Sequence, residues 1–253
     1  MSPPVLVEAC VDSVESAIAA ERGGARRLEL CDALYDGGTT PSAGMIEAVT
    51  DSVSIPVFVI IRPRGGGFVY TAAERDVMMR DVAASKRLGV DGLVFGALTT
   101  AAEIDVAATR ALVDAAGDTS VTFHRAFDLV ADLTAAFDAL IALGVARLLT
   151  SGGAATALEG VASIGDLVER SAGRMVVMAA GGLREENIAR VVEDSGVSEV
   201  HVRGTRLVGT ASVDGQRGIR LRKALPEDEG AWEATDEARI RALVALATGK
   251  VYD

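Results

Sequence analysis

The sequence predicts an α/β fold, a single closed (β/α)8 barrel, on three observations. The chain has 253 residues, the usual length of one such domain. Eight short apolar, β-branched runs alternate with helical patterns rich in Ala, Leu and charged residues. Polar residues recur at the ends of those runs, and in a TIM-barrel-like fold the C-terminal strand ends form the rim where chemistry is done.

The elements follow in order. A first strand is expected over 4–10, then a helix over 13–24 (SVESAIAAERGG), then strands over 26–31 and 56–62. A helix over 72–89, strands over 91–96 and 119–125 and a helix over 133–144 continue the alternation. Strands over 146–150, 174–180 and 198–202 complete the eight. Three of these helices end in Gly or Gly-Gly, which suits a left-handed C-cap before the next strand. The stretch 203–233 reads as a long loop or flap, and 235–248 as the C-terminal helix. No low-complexity linker interrupts the chain, so residues 1–253 read as one domain.

Hydrophobic residues make up 49% of the chain and aromatics only 4%. An aliphatic core of that kind suits a parallel sheet covered on both faces. A doubly wound open sheet is the competing α/β arrangement, but it wants a Gly-rich loop after its first strand, where this chain reads CVDSVES. The apolar runs are too short to cross a membrane, and MSPPVLVEAC carries no basic signal-peptide region. Two cysteines without an extracellular signal read as reduced thiols, so a cytoplasmic location is expected. A net charge of −11 argues against general nucleic-acid binding. Residues 203–223 run against that charge, with six basic side chains and only Asp214 as an acid, and read as solvated surface or a basic flap over the rim.

Alternation along a strand puts Glu8 with Cys10, Glu29 with Cys31, Arg62 with Arg64 and Glu199 with His201 on shared faces. Facing inward, they would gather carboxylates, guanidiniums and imidazoles in one upper layer. That layer is either a self-neutralising ion-pair staple or a site. Glu8, Glu29, His124 and His201 are the candidate proton-moving groups, and His124 sits in the segment VTFHRAFD with Arg125 and Asp128 beside it. Candidate anion-binding groups are Arg62 and Arg64 in IRPRGGGF, Arg125, Ser151 and Gly152 in LLTSGG, and Gly181 and Gly182 in AAGGLREEN. The last segment reads as a strand, a Gly-Gly turn and a helix starting near Glu185. If strands one and two are neighbours, Cys10 and Cys31 lie at matching heights, and paired thiolates favour Cu(I) or zinc. Buried packing is the plainer role for either cysteine.

Several stretches together resemble the CutC family, associated with copper homeostasis. They are VEACVDSVESAIAAERGGARRLELC (7–31), DGGTTPSAG (36–44), VIIRPRGGGFVY (59–70), VTFHRAFD (121–128), LLTSGGAATALEG (148–160) and GGLREENIARVVEDSGVSEVH (181–201). The resemblance implies a TIM-barrel-like, cytoplasmic protein with a tendency to dimerise, and places a copper-binding role on Cys10 and Cys31. The chain departs from the family pattern at Gly67, where IRPRGGDF has an acid, and at Val11, where a second cysteine often follows the first.

Two functional readings follow. In one, Cys10 and Cys31 hold Cu(I) at the barrel rim. In the other, the rim is an enzyme site for a small anionic, even phosphorylated, metabolite, with acid/base chemistry by the carboxylates and histidines. A scaffold acting by oligomerisation is a third, supported only by the resemblance.

Overall fold

The computed structural model describes residues 5–209 and 231–249. Eight parallel strands form a closed barrel: β1 (Leu6–Val11), β2 (Arg27–Leu30), β3 (Val57–Ile60), β4 (Gly92–Phe95), β5 (Ser120–Phe123), β6 (Arg147–Thr150), β7 (Val176–Ala179) and β8 (Glu199–Val202). Closure is direct, because β1 pairs with both β2 and β8. Each of the eight expected runs contains its strand, apart from one residue at the C-terminal end of β1. Helices α1 (Val14–Arg22), α2 (Ala43–Thr50), α3 (Ala72–Arg87), α4 (Val106–Ala116), α5 (Leu133–Ala142), α6 (Val161–Ser171), α7 (Ile188–Ser195) and α8 (Glu237–Thr248) occur along the same chain. Among the described residues no helix is long and apolar enough to cross a membrane.

Local chemistry sets the boundaries. Ser13 caps α1 by accepting from the Ser16 amide, and Thr71 and Glu74 form a reciprocal capping box at α3. Gly89 and Gly144 leave α3 and α5 with φ of +77° and +78°, the left-handed turn-out that the sequence anticipates. Helix α7 starts at Ile188, three residues beyond the expected Glu185. There the Asn187 side chain accepts from the Arg184 amide and donates to the Gly182 carbonyl, which holds 182–187 as a turn.

The expected flap at 203–233 is partly regular. Strands β9 (Thr205–Gly209) and β10 (Ala231–Thr235) pair antiparallel as a two-stranded ribbon. It is anchored by the Thr235 amide on Ser16 Oγ and the Asp236 amide on the Gly204 carbonyl. Arg203 and Arg206 are ion-paired to Glu233 and Asp236 at 2.9 and 3.2 Å. The other basic residues of that stretch, Arg217, Arg220, Arg222 and Lys223, lie outside the described residues.

The main apolar core lies between the strands and the helices, where Leu28, Phe95, Phe123, Leu148 and Ile164 are fully buried. Inside the barrel the apolar groups include the Phe58 ring and two small clusters: Cys10, Cys31 and Ile60, and Leu149, Met178 and Ala180. Most of the remaining interior is polar, and that positions the site.

Candidate functional site

Interior positions alternate along each strand, and the lowest polar layer holds Glu8, Arg27, Arg147 and Glu199. Arg27 donates to Glu8 from Nε and to Glu199 from a terminal nitrogen. Arg147 Nε donates to the same Glu199 carboxylate at 2.7 Å. Both guanidiniums lie over the Phe58 ring, 5.0 and 5.2 Å from its centroid. Two cations thus meet two carboxylates around one aromatic plate. Burial opposes charge on Glu8, but Arg27 and His201 outweigh it and hold its carboxyl down at about 2. Glu8 is therefore a fixed anion that supports the layer above.

That layer carries the thiols. His201 Nδ1 donates to Glu8 Oε1 at 2.8 Å, and its Nε2 lies 3.5 Å from Glu29 Oε2. The Cys10 and Cys31 sulfurs are 3.8 Å apart, both buried and unbridged. They are not at matching heights: the register sets Cys10 opposite Glu29, with Cys31 two residues further along its strand. The stagger of tilted barrel strands still brings the sulfurs together.

Charge in this layer is unevenly shared. The hydrogen bond from Cys31 stabilises the Cys10 thiolate, and against burial His201 adds to it, drawing Cys10 down to about 5. The same bond and burial push Cys31 well above the ordinary thiol range. Burial drives Glu29 up to about 8, so it is a neutral acid at pH 7. Burial also opposes charge on His201, but Cys10, Glu8 and Glu29 prevail and raise it well above its usual value. The layer therefore holds a thiolate–imidazolium pair beside a protonated thiol and a protonated carboxyl. Ligand atoms of Cys10, Glu29 and Cys31 lie within 4.8 Å of one another, as do those of Glu8, Glu29 and His201.

The β5–β7 side of the mouth is built differently. His124 directly follows β5 and caps the short 3-10 helix Arg125–Leu129, its Nδ1 accepting from the Ala126 amide at 3.2 Å. In the neutral ring the proton is then on Nε2. Burial and the nearby Arg62 push His124 down to about 3, so the neutral ring prevails. Gly96 makes this placement possible, because a Cβ there would stand 2.6 Å from the imidazole. Gly96→Ala is accordingly expected to cost about 1–3 kcal/mol by overpacking and to displace the ring. Denaturant unfolding and the His124 imidazole resonances would register both changes.

The candidate residues fall into three groups. Cys10, Glu29, Cys31, Arg62, His124, Arg125, Gly181, Gly182 and His201 share the lining of one cavity of about 680 Å³ at the mouth. Glu8 lies beneath it. Arg64, Ser151 and Gly152 are engaged elsewhere. Arg64 bonds Glu74 at 2.5 Å and the carbonyls of Gly65, Gly67 and Val69. At the β6 turn the Ser151 amide and hydroxyl and the Gly153 amide all donate to Asp128, and the Gly152 amide donates to Thr150. A carboxylate of the chain thus fills the cradle that an external anion would occupy. Sequence reasoning missed Arg27 and Arg147. Their signal was present as charged residues at the inward parity of apolar strands.

A (β/α)8 barrel with a thiol pair, a carboxyl and an imidazole converging at its C-terminal mouth defines the class of protein. Within that class the chain belongs to the CutC family, whose model matches residues 5–206. It is 47% identical over 244 residues to a human copper homeostasis protein cutC homolog, covering 96% of this chain and 89% of that one. The mouse homolog of the same name is 46% identical over 242 residues with the same coverage. A solved structure carrying the CutC copper homeostasis name, from Streptococcus agalactiae, superposes with a TM-score of 0.75 at 35% identity, covering 78% of this chain and 98% of that one. Phosphoribosylanthranilate isomerase from Thermotoga maritima, at 13% identity and a TM-score of 0.57 over 97% and 99% of the two chains, shares the fold alone.

Proposed function

We propose that this CutC-family barrel serves copper homeostasis by binding Cu(I) through Cys10 and Cys31. The observation that carries this reading is the buried sulfur pair at 3.8 Å, in which one thiol is already ionised near neutral pH. Thiolates are the ligands that select Cu(I), and the names borne by the human and mouse relatives point the same way. Cys10 and Cys31 would hold the ion between their two sulfurs. Glu29, whose carboxyl oxygen lies within 4.8 Å of both sulfurs, could add a further donor once it loses its proton. His201 would compensate the negative charge of the sulfurs, as its imidazolium already does for Cys10. The reading places the protein in the cytoplasm, where thiols stay reduced.

An anaerobic Cu(I) titration against a competing chelator tests it, on the wild type and on Cys10→Ser/Cys31→Ser. Tight one-to-one binding that the double variant loses, with its circular dichroism unchanged, is the expected result. Binding indifferent to both cysteines would overturn it.

A further inference from the structure

Among the described residues, six buried side-chain polar atoms lack a hydrogen-bond partner: Arg62 Nε, Tyr70 OH, Ser85 Oγ, Thr109 Oγ1, His124 Nε2 and Arg203 Nε. The three nitrogens are all donors, and all three belong to residues lining the mouth cavity. Native proteins leave few such atoms unpaired, and with Arg203 already ion-paired to Glu233, the two remaining donors, on Arg62 and His124, point to an absent acceptor.

Charge strengthens the point. Arg62 is only 4% exposed, and its terminal nitrogens donate to the carbonyls of Asp36, Gly38 and Gly66 at 2.9, 2.8 and 2.7 Å. No carboxylate among the described residues pairs with it. A buried guanidinium without a counter-charge is costly, as is an imidazole N–H without an acceptor. The two groups flank one wall: Arg62 lies 4.9 Å from the Phe68 ring centroid, and the His124 ring lies 4.9 Å from the same ring. Arg125 adds a third donor. Its Nε goes to Asp128 and one terminal nitrogen to Ser151, while the other lies over Gly181, where a Cβ would stand 3.1 Å away.

We propose that the mouth carries an oxyanion subsite, with the Nε2–H of His124 and the guanidiniums of Arg62 and Arg125 as donors, for the carboxylate of a small organic ligand. This goes beyond the copper reading and stands whether or not the thiols hold copper. A bare ion needs no cavity of about 680 Å³, a volume in the range of small-molecule sites. The donors are planar side-chain groups that suit a planar carboxylate. The Gly-rich cradle at β6 that would favour phosphate is closed by Asp128. His124 is a neutral donor here, so it hydrogen-bonds the anion without a proton of its own to lose near pH 7.

The test uses reduced, metal-free protein and two probes, sodium malonate and inorganic phosphate. With two histidines in the chain, a long-range proton–nitrogen spectrum resolves His124 from His201. Malonate is expected to move the His124 Nε2 resonance saturably and to bind more tightly than phosphate. Calorimetry should show malonate binding weakened by at least about tenfold in His124→Phe, which keeps the ring contact with Phe68 and removes the N–H. Arg125→Gln, on a half-exposed side chain, should weaken it by a similar factor and guards against a folding failure of the first variant. No saturable shift with malonate would overturn the proposal. So would tighter binding of phosphate, or unchanged malonate affinity in folded His124→Phe.

Discussion

Arg27→Met is expected to destabilise the protein by about 3–5 kcal/mol, the cost of breaking a buried ion network by removing one partner. Arg27 bridges Glu8 and Glu199, and its removal leaves Glu8 with His201 alone and Glu199 with Arg147 alone. Met keeps much of the length and apolar bulk against Phe58 and Met178, so the loss reports charge more than volume. Replacing Glu8 by Gln in the same background should recover part of the loss, because the stranded anion is then gone. Urea unfolding of the three proteins measures both quantities. An Arg27→Met protein within about 1 kcal/mol of wild type would mean that the ion layer does not hold the barrel together.

The second large effect is kinetic. An ordinary thiol gains about tenfold in alkylation rate for each pH unit below its pKa, since only the thiolate reacts. Cys10 is drawn down to about 5, so its thiolate is present above that pH and lost as pH falls through it. Its rate with iodoacetamide should therefore change by less than about twofold between pH 6 and 8, where a free thiol changes by about a hundredfold. Burial slows reagent access, which scales the whole curve and leaves its shape intact. Cys31, raised by the same hydrogen bond and by burial, should remain unmodified in that window. Mass spectrometry of peptides quenched at intervals separates the two sites. His201→Asn should shift the Cys10 profile upward by removing the cation. A Cys10 rate that climbs tenfold per unit through pH 7 would contradict the thiolate–imidazolium pair.

Much of this arrangement is written along the chain. Parity alone puts Glu8 with Cys10 and Glu29 with Cys31, and the structure keeps each pair on the interior. The same parity in RRLELC marks Arg27, which the eye skips because it is one of two adjacent arginines. Arg147 opens β6 in the same disguise. Arg62 and Arg64 show the limit of the rule. They share a parity, yet only Arg62 turns into the mouth, because the strand ends at Ile60 and the loop beyond it sends Arg64 to Glu74.

The β6 and β7 turns make the same point from the glycine side. TSGG and AAGG look alike in sequence, but Asp128 reaches across from the 3-10 helix after β5 and fills the first. The second leaves Gly181 open to the cavity, with Arg125 across it. Which turn stays vacant depends on a side chain more than twenty positions away.

By itself the sequence determined the eight-fold strand and helix alternation and the closed barrel, because periodicity and caps are local properties of the chain. Only the tertiary structure decided that Arg27 and His201 both meet Glu8, that the Cys10 and Cys31 sulfurs come within 3.8 Å despite their staggered register, and that the buried His124 Nε2 has no partner among the described residues. Those outcomes depend on stagger, burial and partners from distant strands, and desolvation and Coulomb energies act through space with no regard for order along the chain.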